Sequence, residues 1–462
     1  MAMQTFTKRT RINSPASTVF AWHARPGALE RLTPPWERVQ ILEKGEGIGD
    51  GARRTFRVRI GPIRVRWVAE HRDHVAGRQF RDVQVEGPFR RWEHTHRFHA
   101  DGPEACYLED QVEYELPLGA LGNLFGSSFA RSMLARMFAY RHSVTVGDLA
   151  LHGRYSDKVL HVALTGGTGL VGSALAPFLT TGGHRVTRLV RSPPRPGDDA
   201  LRWDPEANAI DAAGLEGLDG VIHLAGESIA GGRWTAAKRA RILDSRVKGT
   251  RLLAETLAKL RRPPRTLVCA SAIGFYGSRG AELMTEESAP GTGFLAGVCQ
   301  AWEEAATAAA KAGIRVVYLR LGVVLSAAGG ALATMLPPFR LGAGGVLGPG
   351  SQYVSWVGLD DVLGAVLHSL TSETVRGPVN VVAPNPVTNR NFTGVLGRVL
   401  HRPTLIPVPA AAARLALGEM ADEMLLASTR VDPVRLRDTG FVFRQPDLEG
   451  ALRHTLGRIV ES

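Results

Sequence analysis

Three glycines, Gly166, Gly169 and Gly172, stand where their spacing has a chemical meaning. They lie in Val162-Ala163-Leu164-Thr165-Gly166-Gly167-Thr168-Gly169-Leu170-Val171-Gly172, which an apolar run enters and a helical pattern, Ser173 to Leu179, leaves. Gly166 permits a tight turn, Gly169 lets the backbone approach a pyrophosphate, and Gly172 lets the helix pack close to the strand. The start of that helix adds unpaired N–H groups and the positive end of a dipole, both suited to phosphate. A second apolar run, His184 to Val190, follows at the distance a strand–helix–strand unit requires.

The end of that second run selects the nucleotide. A site for NAD carries Asp or Glu there for the ribose hydroxyls, whereas a 2′-phosphate needs a cation. Here Arg185-Val186-Thr187-Arg188-Leu189-Val190 ends in Arg191-Ser192, with no carboxylate before Asp198. The forked guanidinium matches phosphate geometry, so Arg191 points to NADP(H), the alternative being an exposed loop arginine. For proton transfer, Glu227, Tyr276 and Asp360 are the polar groups close to strand ends, and Ser271 closes the run Thr266–Ser271. Cys299 has no histidine near it in sequence and reads as a buried helix cysteine.

These residues need a frame, and 462 residues suffice for two or three domains. A hydrophobic content of 44% with 22% charged residues is that of a soluble globular chain. No run of eighteen uncharged apolar residues occurs, and the opening Met1–Lys8 turns directly into a strand pattern, so neither a membrane span nor a signal peptide is expected. Three distant cysteines, Cys106, Cys269 and Cys299, suit neither a disulfide framework nor a zinc site, so a cytoplasmic protein without metal is expected. The net charge of +12 comes from scattered arginines such as Arg53, Arg57 and Arg64, without blocks or a recognition motif. A solvated sheet face explains them better than nucleic-acid binding.

Residues 1–155 open with a strand, Gln4 to Ile12, followed by a helix start at Asn13-Ser14-Pro15, where Asn13 or Ser14 can cap and Pro15 loses no needed bond. Short helices at Ala16–Ala24 and Leu29–Leu32 precede alternating runs at Val39–Glu43, Gly51–Ile60, Ile63–His71, Gln79–Glu86, Trp92–His99 and Tyr107–Glu115. Hairpin-joined antiparallel strands account for that spacing. Leu121–Leu151 then reads as one long helix carrying Phe125, Phe129, Met133, Leu134, Met137 and Phe138. A strand, two short helices, a meander and a closing helix make an α+β helix-grip domain. With the opening Ile12-Asn13-Ser14-Pro15-Ala16-Ser17-Thr18-Val19-Phe20, this order resembles the START-like superfamily of polyketide cyclases and coenzyme Q-binding proteins. The resemblance implies a cavity for a lipophilic ligand in the domain as a whole, while for single residues such as Phe125, Met133 and Met137 the core reading is favoured.

A polar linker, Gly153–Lys158, leads into residues 159–390. There, strands at Val159–Thr165, His184–Val190, Gly220–Leu224, Thr266–Ser271, Arg315–Leu319 and Val379–Val382 alternate with helical patterns such as Ser245–Leu260 and Gly297–Ala312. This is the pattern of an α/β, Rossmann-like, doubly wound parallel sheet. Residues 391–462 read as a small helical C-terminal cap, with Pro403, Pro407, Pro409 and Pro433 among its helices.

Residues 159–455 resemble the atypical extended short-chain dehydrogenase/reductases of the epimerase family protein type. The likeness is carried by Thr165–Gly172, His223-Leu224-Ala225-Gly226-Glu227-Ser228-Ile229, Asp244–Thr250, Ser271-Ala272-Ile273-Gly274-Phe275-Tyr276-Gly277, Phe294–Glu303, Arg320–Ser326, Leu336–Gly342 and Ser355–Asp361. Members with a START-like domain in front look like this whole chain. The resemblance implies a dinucleotide cradle from Gly166, Gly169, Leu170 and Val171, with Arg191 at the 2′-phosphate. It also implies Leu224 and Ala225 beside the cofactor and Arg246 reaching it. The chain departs from the superfamily at its acid/base pair: aligning Glu303 puts Leu295 on the usual tyrosine and Cys299 on the usual lysine, and anchoring on Tyr276 puts Ala272 on the usual serine. Three readings follow. The first is an NADP(H)-dependent oxidoreductase or epimerase-like enzyme acting on a small or lipophilic substrate with Tyr276, Glu227 and Ser271 as catalytic candidates. The second is a catalytically quiet NADP(H)-binding sensor or regulator, and the third a lipophile carrier or cyclase centred on the N-terminal domain.

Overall fold

Every second side chain of the first strand, β1 (Gln4–Ile12), is more buried than its neighbour, as a strand with one covered face requires. The computed structural model describes residues 3–43, 45, 47–61, 63–117, 119–155, 158–195 and 197–458, with the backbone only for 119–125. It divides into two units, Met1–Ser156 with Pro177–Gly183 and Leu456–Ser462, and Asp157–Ala176 with His184–Thr455.

In the first unit β1 leads to α1 (Ala16–Ala24) and α2 (Ala28–Leu32), then to β2 (Gln40–Glu43), β3 (Arg53–Ile60), β4 (Ile63–Val75), β5 (Gln79–Glu86), β6 (Arg91–Ala100), β7 (Cys106–Glu115) and α3 (Gly119–Tyr155). The seven strands form one antiparallel sheet in the order β1-β7-β6-β5-β4-β3-β2, so the meander pairs neighbour with neighbour and β1 closes on the last strand. α3, about 55 Å long at 1.5 Å per residue, presents Ala130, Leu134 and Phe138 at a spacing of four to Trp92, Val112 and Tyr114. α2 is tied to it by Arg31, whose Nε and Nη2 donate to both oxygens of the buried Asp148 at 2.6 and 2.8 Å.

Two expectations need correction here. Helix α3 runs on through Gly153 to Tyr155, so the linker begins later than Gly153; a glycine in a last helical turn costs only about 1 kcal/mol against Ala. Phe129 is 71% exposed and Met133 lies at the edge of exposure, so these two face away from the sheet while Met137 packs against the core. The side chain of Phe125 lies outside the described residues.

The second unit contains β8 (His161–Thr165), the first two turns of α4 (Leu170–Thr181), β9 (Arg185–Val190), β10 (Ala200–Asp204), β11 (Ala209–Ile210), β12 (Gly220–His223), α5 (Ala236–Leu257), β13 (Thr266–Ala272), β14 (Leu283–Met284), α6 (Phe294–Glu304), α7 (Thr307–Lys311) and β15 (Arg315–Leu321). It continues with β16 (Val323–Leu325), α8 (Gly330–Arg340), β17 (Tyr353–Val354), β18 (Trp356–Gly358), α9 (Leu359–Thr371), β19 (Gly377–Val381), β20 (Val387–Thr388), α10 (Asn389–Leu400), α11 (Ala410–Leu417), β21 (Arg430–Val431), α12 (Val434–Asp438) and α13 (Leu448–Leu456). Its main sheet has the order β11-β10-β9-β8-β12-β13-β15-β19, parallel throughout except for the β10–β11 pair. All four residues of β12 and nearly all of β13 are buried, as continuous apolar runs covered on both faces should be. Leu253 and Leu257 of α5 and Ala309 of α7 share one core cluster with Val221 and Leu267.

The chain leaves β8 toward β9 on one side, and β12 lies on the other side of β8. That reversal of strand order is the switch point where doubly wound sheets bind ligands. Helix α5 begins at Ala236, earlier than its apolar pattern indicates, because Thr235 caps it by accepting from the Lys238 N–H at 3.2 Å. The C-terminal stretch is not purely helical: β21 pairs in parallel with β14.

Candidate functional site

At the switch point the glycine turn and the end of β12 meet backbone to backbone. Gly166 has φ +70°, and a Cβ on it would fall 2.7 Å from the carbonyl carbon of Leu224 and 2.8 Å from the nitrogen of Ala225. Only glycine accepts both the angle and the contact. A Cβ on Gly172 would lie 2.2 Å from the Gly166 oxygen, so the helix could not approach the turn. Gly169 is different: its N–H donates to the Gly166 oxygen at 2.9 Å, and a Cβ there would meet only that oxygen, at 3.3 Å. No other atom outside its immediate neighbours lies within 4 Å of such a Cβ. The first-turn N–H groups of Leu170, Val171 and Gly172 have no carbonyl one turn earlier to bond and are available to an anion.

A polar chain beneath this turn locks it in place. Thr165 Oγ1 accepts from the N–H groups of Leu224 (3.1 Å) and Ala225 (3.2 Å) and lies 2.8 Å from His223 Nδ1. His223 Nε2 lies 3.0 Å from Thr250 Oγ1 on α5. Burial pushes the His223 imidazole down to about 4, so it is neutral. The tautomer that satisfies the chain has Thr165 donating to Nδ1 and Nε2–H donating to Thr250. Gly166, Leu224 and Ala225 are thereby brought together.

Arg246 reaches the same place from α5. Its Nη1 donates to the carbonyls of Glu227 (3.1 Å) and Ile242 (3.0 Å), its guanidinium lies 4.9 Å over the Trp302 ring, and a Cβ on Gly226 would be 3.3 Å from its Cζ. Burial lowers its pKa from the ordinary arginine range. Arg191 stands exposed just after β9. Of the nearby carboxylates, Asp199 accepts from the Thr187 hydroxyl at 2.7 Å and Asp198 from the Arg195 N–H at 3.2 Å, so neither occupies the strand end.

The three catalytic candidates separate. Glu227 lies on the segment between β12 and α5 with its side chain 39% exposed, and it accepts from Lys238 Nζ at 2.7 Å. That ammonium holds the carboxyl below its usual range. Tyr276 does not line an open pocket: its side chain is fully buried, its hydroxyl donates to Asn380 Oδ1 (2.7 Å) and accepts from Arg320 Nη1 (2.9 Å), and burial raises its pKa. Ser271 is likewise turned inward and donates to Glu303 Oε1 at 2.8 Å. Arg320 binds Glu303 through Nε and Nη2, both at 2.9 Å, and its guanidinium lies 3.5 Å over the Phe275 ring. Ser271, Tyr276, Glu303, Arg320 and Asn380 are therefore one closed network beneath the ends of β13, β15 and β19. Asp360 is also engaged, 3.0 Å from His454 Nε2.

Leu295 and Cys299 lie about one turn apart on α6. The pair packs on Gly274, whose Cβ would meet Leu295 Cβ at 3.3 Å and Cys299 Sγ at 3.9 Å. Burial and the charge of Glu303 push the Cys299 thiol up to about 11, which removes it as a nucleophile near neutral pH. A residue that pattern reading did not find is Glu423. Its two carboxylate oxygens accept from the N–H groups of Phe294 and Leu295, each at 3.1 Å, and so cap α6 from the C-terminal segment.

Comparison with known proteins places this geometry. Residues 162–382 match the NAD dependent epimerase/dehydratase family, residues 12–138 the polyketide cyclase / dehydrase and lipid transport family, and residues 408–455 a domain of unknown function. An epimerase family protein of Mycobacterium bovis is 41% identical over 297 residues, which is 64% of this chain and 98% of that protein. A structure described as the nucleoside-diphosphate sugar epimerase from Corynebacterium glutamicum is 35% identical with a TM-score of 0.79, covering 98% of this chain and 90% of that one. The human epimerase family protein SDR39U1, solved with NADPH, is 35% identical with a TM-score of 0.61, covering 65% of this chain and all of its own.

Proposed function

This chain belongs to the epimerase family proteins, with an NAD dependent epimerase/dehydratase domain behind one of the polyketide cyclase type, and from that membership we propose an NADP(H)-dependent oxidoreductase or epimerase-like activity at the switch point of the second unit. The observation that carries it is the glycine cradle closed by the backbone of Leu224 and Ala225, with Arg191 at the end of β9. The N–H groups of Leu170 and Val171 bind the pyrophosphate, Arg191 pairs with the 2′-phosphate, and Arg246 lines the site beside Gly226. The nicotinamide supplies hydride chemistry when bound. The chain's part is to hold substrate and cofactor in line and to manage a proton, for which Glu227 is the solvent-reached carboxylate of the three candidates. A small substrate fits this reading, and a lipophilic one fits it with the START-like unit as its carrier.

A second reading has a specific observation behind it. Tyr276 and Ser271 are spent in a closed network, and Leu295 and Cys299 hold the two positions that usually do proton chemistry. An NADP(H)-binding protein that senses or regulates without turnover needs none of them.

Titration of cofactor fluorescence tests the common ground of both readings. NADPH should bind more tightly than NADH, and Arg191→Ala should weaken NADPH by about 1–3 kcal/mol, the scale of a charged hydrogen bond, with little change for NADH. Equal affinities in the parent protein would overturn the assignment. Turnover of NADPH with aldehydes, quinones or nucleotide sugars, sensitive to Glu227→Gln, separates enzyme from sensor.

A further inference from the structure

Antiparallel pairing in the first unit sets two rows of polar residues side by side on the face that α3 covers. His71, Asp82 and His94 are direct partners across β4, β5 and β6, and His96 and Asp110 are direct partners across β6 and β7. Apolar clusters flank them, Phe20, Phe80 and Phe98 on one side and Trp92, Tyr114 and Phe138 on the other. His71, His94, His96 and Asp110 are all buried, and a sheet interior that holds this many ionisable groups needs a reason.

The ring orientations supply one. His94 Nε2 (2.9 Å) and His96 Nδ1 (2.6 Å) both approach Asp110 Oδ1. Their other nitrogens turn toward Asp82 Oδ2, His96 Nε2 at 3.4 Å and His94 Nδ1 at 3.8 Å. A histidine that ligates a metal characteristically turns its second nitrogen to a carboxylate, which fixes the tautomer and raises ligand basicity. Asp110 Oδ1 does this for His94 by a hydrogen bond and for His96 by a close ion-pair contact, and its Oδ2 is itself held by His142 Nε2 at 2.6 Å, whose Nδ1 lies 2.7 Å from Thr10 Oγ1. Phe80 stacks on His96 with ring centres 4.2 Å apart and fixes its plane.

We propose that Asp82, His94 and His96 form a binding site for a divalent transition metal of the zinc type, with Asp110 as the carboxylate that orients both histidines. The three donor atoms lie within 4.8 Å of one another. Bonds of about 2.0–2.1 Å in a tetrahedron separate donor atoms by about 3.3 Å, close to the two Asp82 distances. His71 Nδ1, 2.6 Å from Asp82 Oδ1 but out of hydrogen-bond alignment, engages the second oxygen and leaves Oδ2 as a single donor. Two imidazoles and one carboxylate suit zinc or a neighbouring first-row ion, and three protein donors leave a coordination position for water or a substrate oxygen. The Asp82 side chain is 25% exposed, whereas both histidines are under a tenth exposed.

The test uses the full chain, stripped with a chelator and then titrated with Zn²⁺ or Co²⁺ alone. One equivalent of zinc should be retained after dialysis, and Co²⁺ should give the visible absorption of a four- or five-coordinate ion. Asp82→Asn and His94→Gln should each abolish the retained equivalent, while Asp110→Asn should weaken binding 10–100-fold without changing the stoichiometry. Circular dichroism and the urea unfolding midpoint report whether each variant has folded. Failure of the parent protein to retain zinc or to give the cobalt spectrum overturns the proposal and leaves a buried ion network only. Undiminished binding in folded Asp82→Asn and His94→Gln overturns it as well.

Discussion

Tyr276 shows how much of a side chain's role lies outside its own neighbourhood. Its backbone place, just after β13 in a Gly-Phe-Tyr-Gly turn, is legible from the sequence and is where a catalytic group could stand. The direction of its ring is not, because it is set by Arg320 and Asn380, 44 and 104 residues further on. The glycines behave differently: the turn at Gly166 and the close approach at Gly172 involve backbone within a few residues, while Gly166 is also pressed against Leu224 and Ala225 from the end of β12. The buried network leads to a clear expectation. Tyr276→Phe leaves Arg320 Nη1 and Asn380 Oδ1 each short of a partner and should lower stability by about 1–3 kcal/mol in urea denaturation, with NADPH affinity unchanged. Loss of turnover at unchanged stability would restore Tyr276 to the chemistry. Cys299, buried with its thiol at about 11, should react with a thiol reagent at pH 8 only as fast as the protein unfolds.

Among the elements, strands were read better than the contacts between them. The strand patterns mark β1 and β5 to the residue, and the buried β12 and β13 emerge to within one residue. β10 escaped because Ala200-Leu-Arg-Trp-Asp is short and carries two charges, and its strand character comes from pairing with β9. The histidine and aspartate rows escaped for a related reason. His94-Thr95-His96 is a visible alternation on one strand, but Asp82 and Asp110 join it only through sheet register. Helix α2 owes its place to a buried ion pair, and removing one partner of such a pair strands the other charge. Asp148→Ala should therefore cost about 3–5 kcal/mol, read as a lower unfolding midpoint of the first unit, whereas the exposed pair Arg414–Asp422 should cost under about 1 kcal/mol when broken. Equal effects would mean that Arg31 finds another partner.

At the level of the whole molecule, the second unit completes itself with residues from its far end. Glu423 caps α6, β21 pairs with β14, and Asp361 accepts the N–H groups of Arg444 and Gln445 at 2.7 and 3.1 Å. Pattern reading gave this stretch only as a cap, because none of these partnerships has a local signature. Glu423→Ala should lower stability by about 0.5–2 kcal/mol, the worth of a helix cap, and should weaken NADPH binding more than an exposed control such as Glu419→Ala does. That cap also has a place in time. A ribosome adding roughly 5–20 residues per second places Glu423 about 6–26 s after Leu295, 128 positions earlier. Throughout that interval the N–H groups of Phe294 and Leu295 are left to water. The growing chain thus has its glycine turn and the start of α6 well before it has the carboxylate that caps that helix.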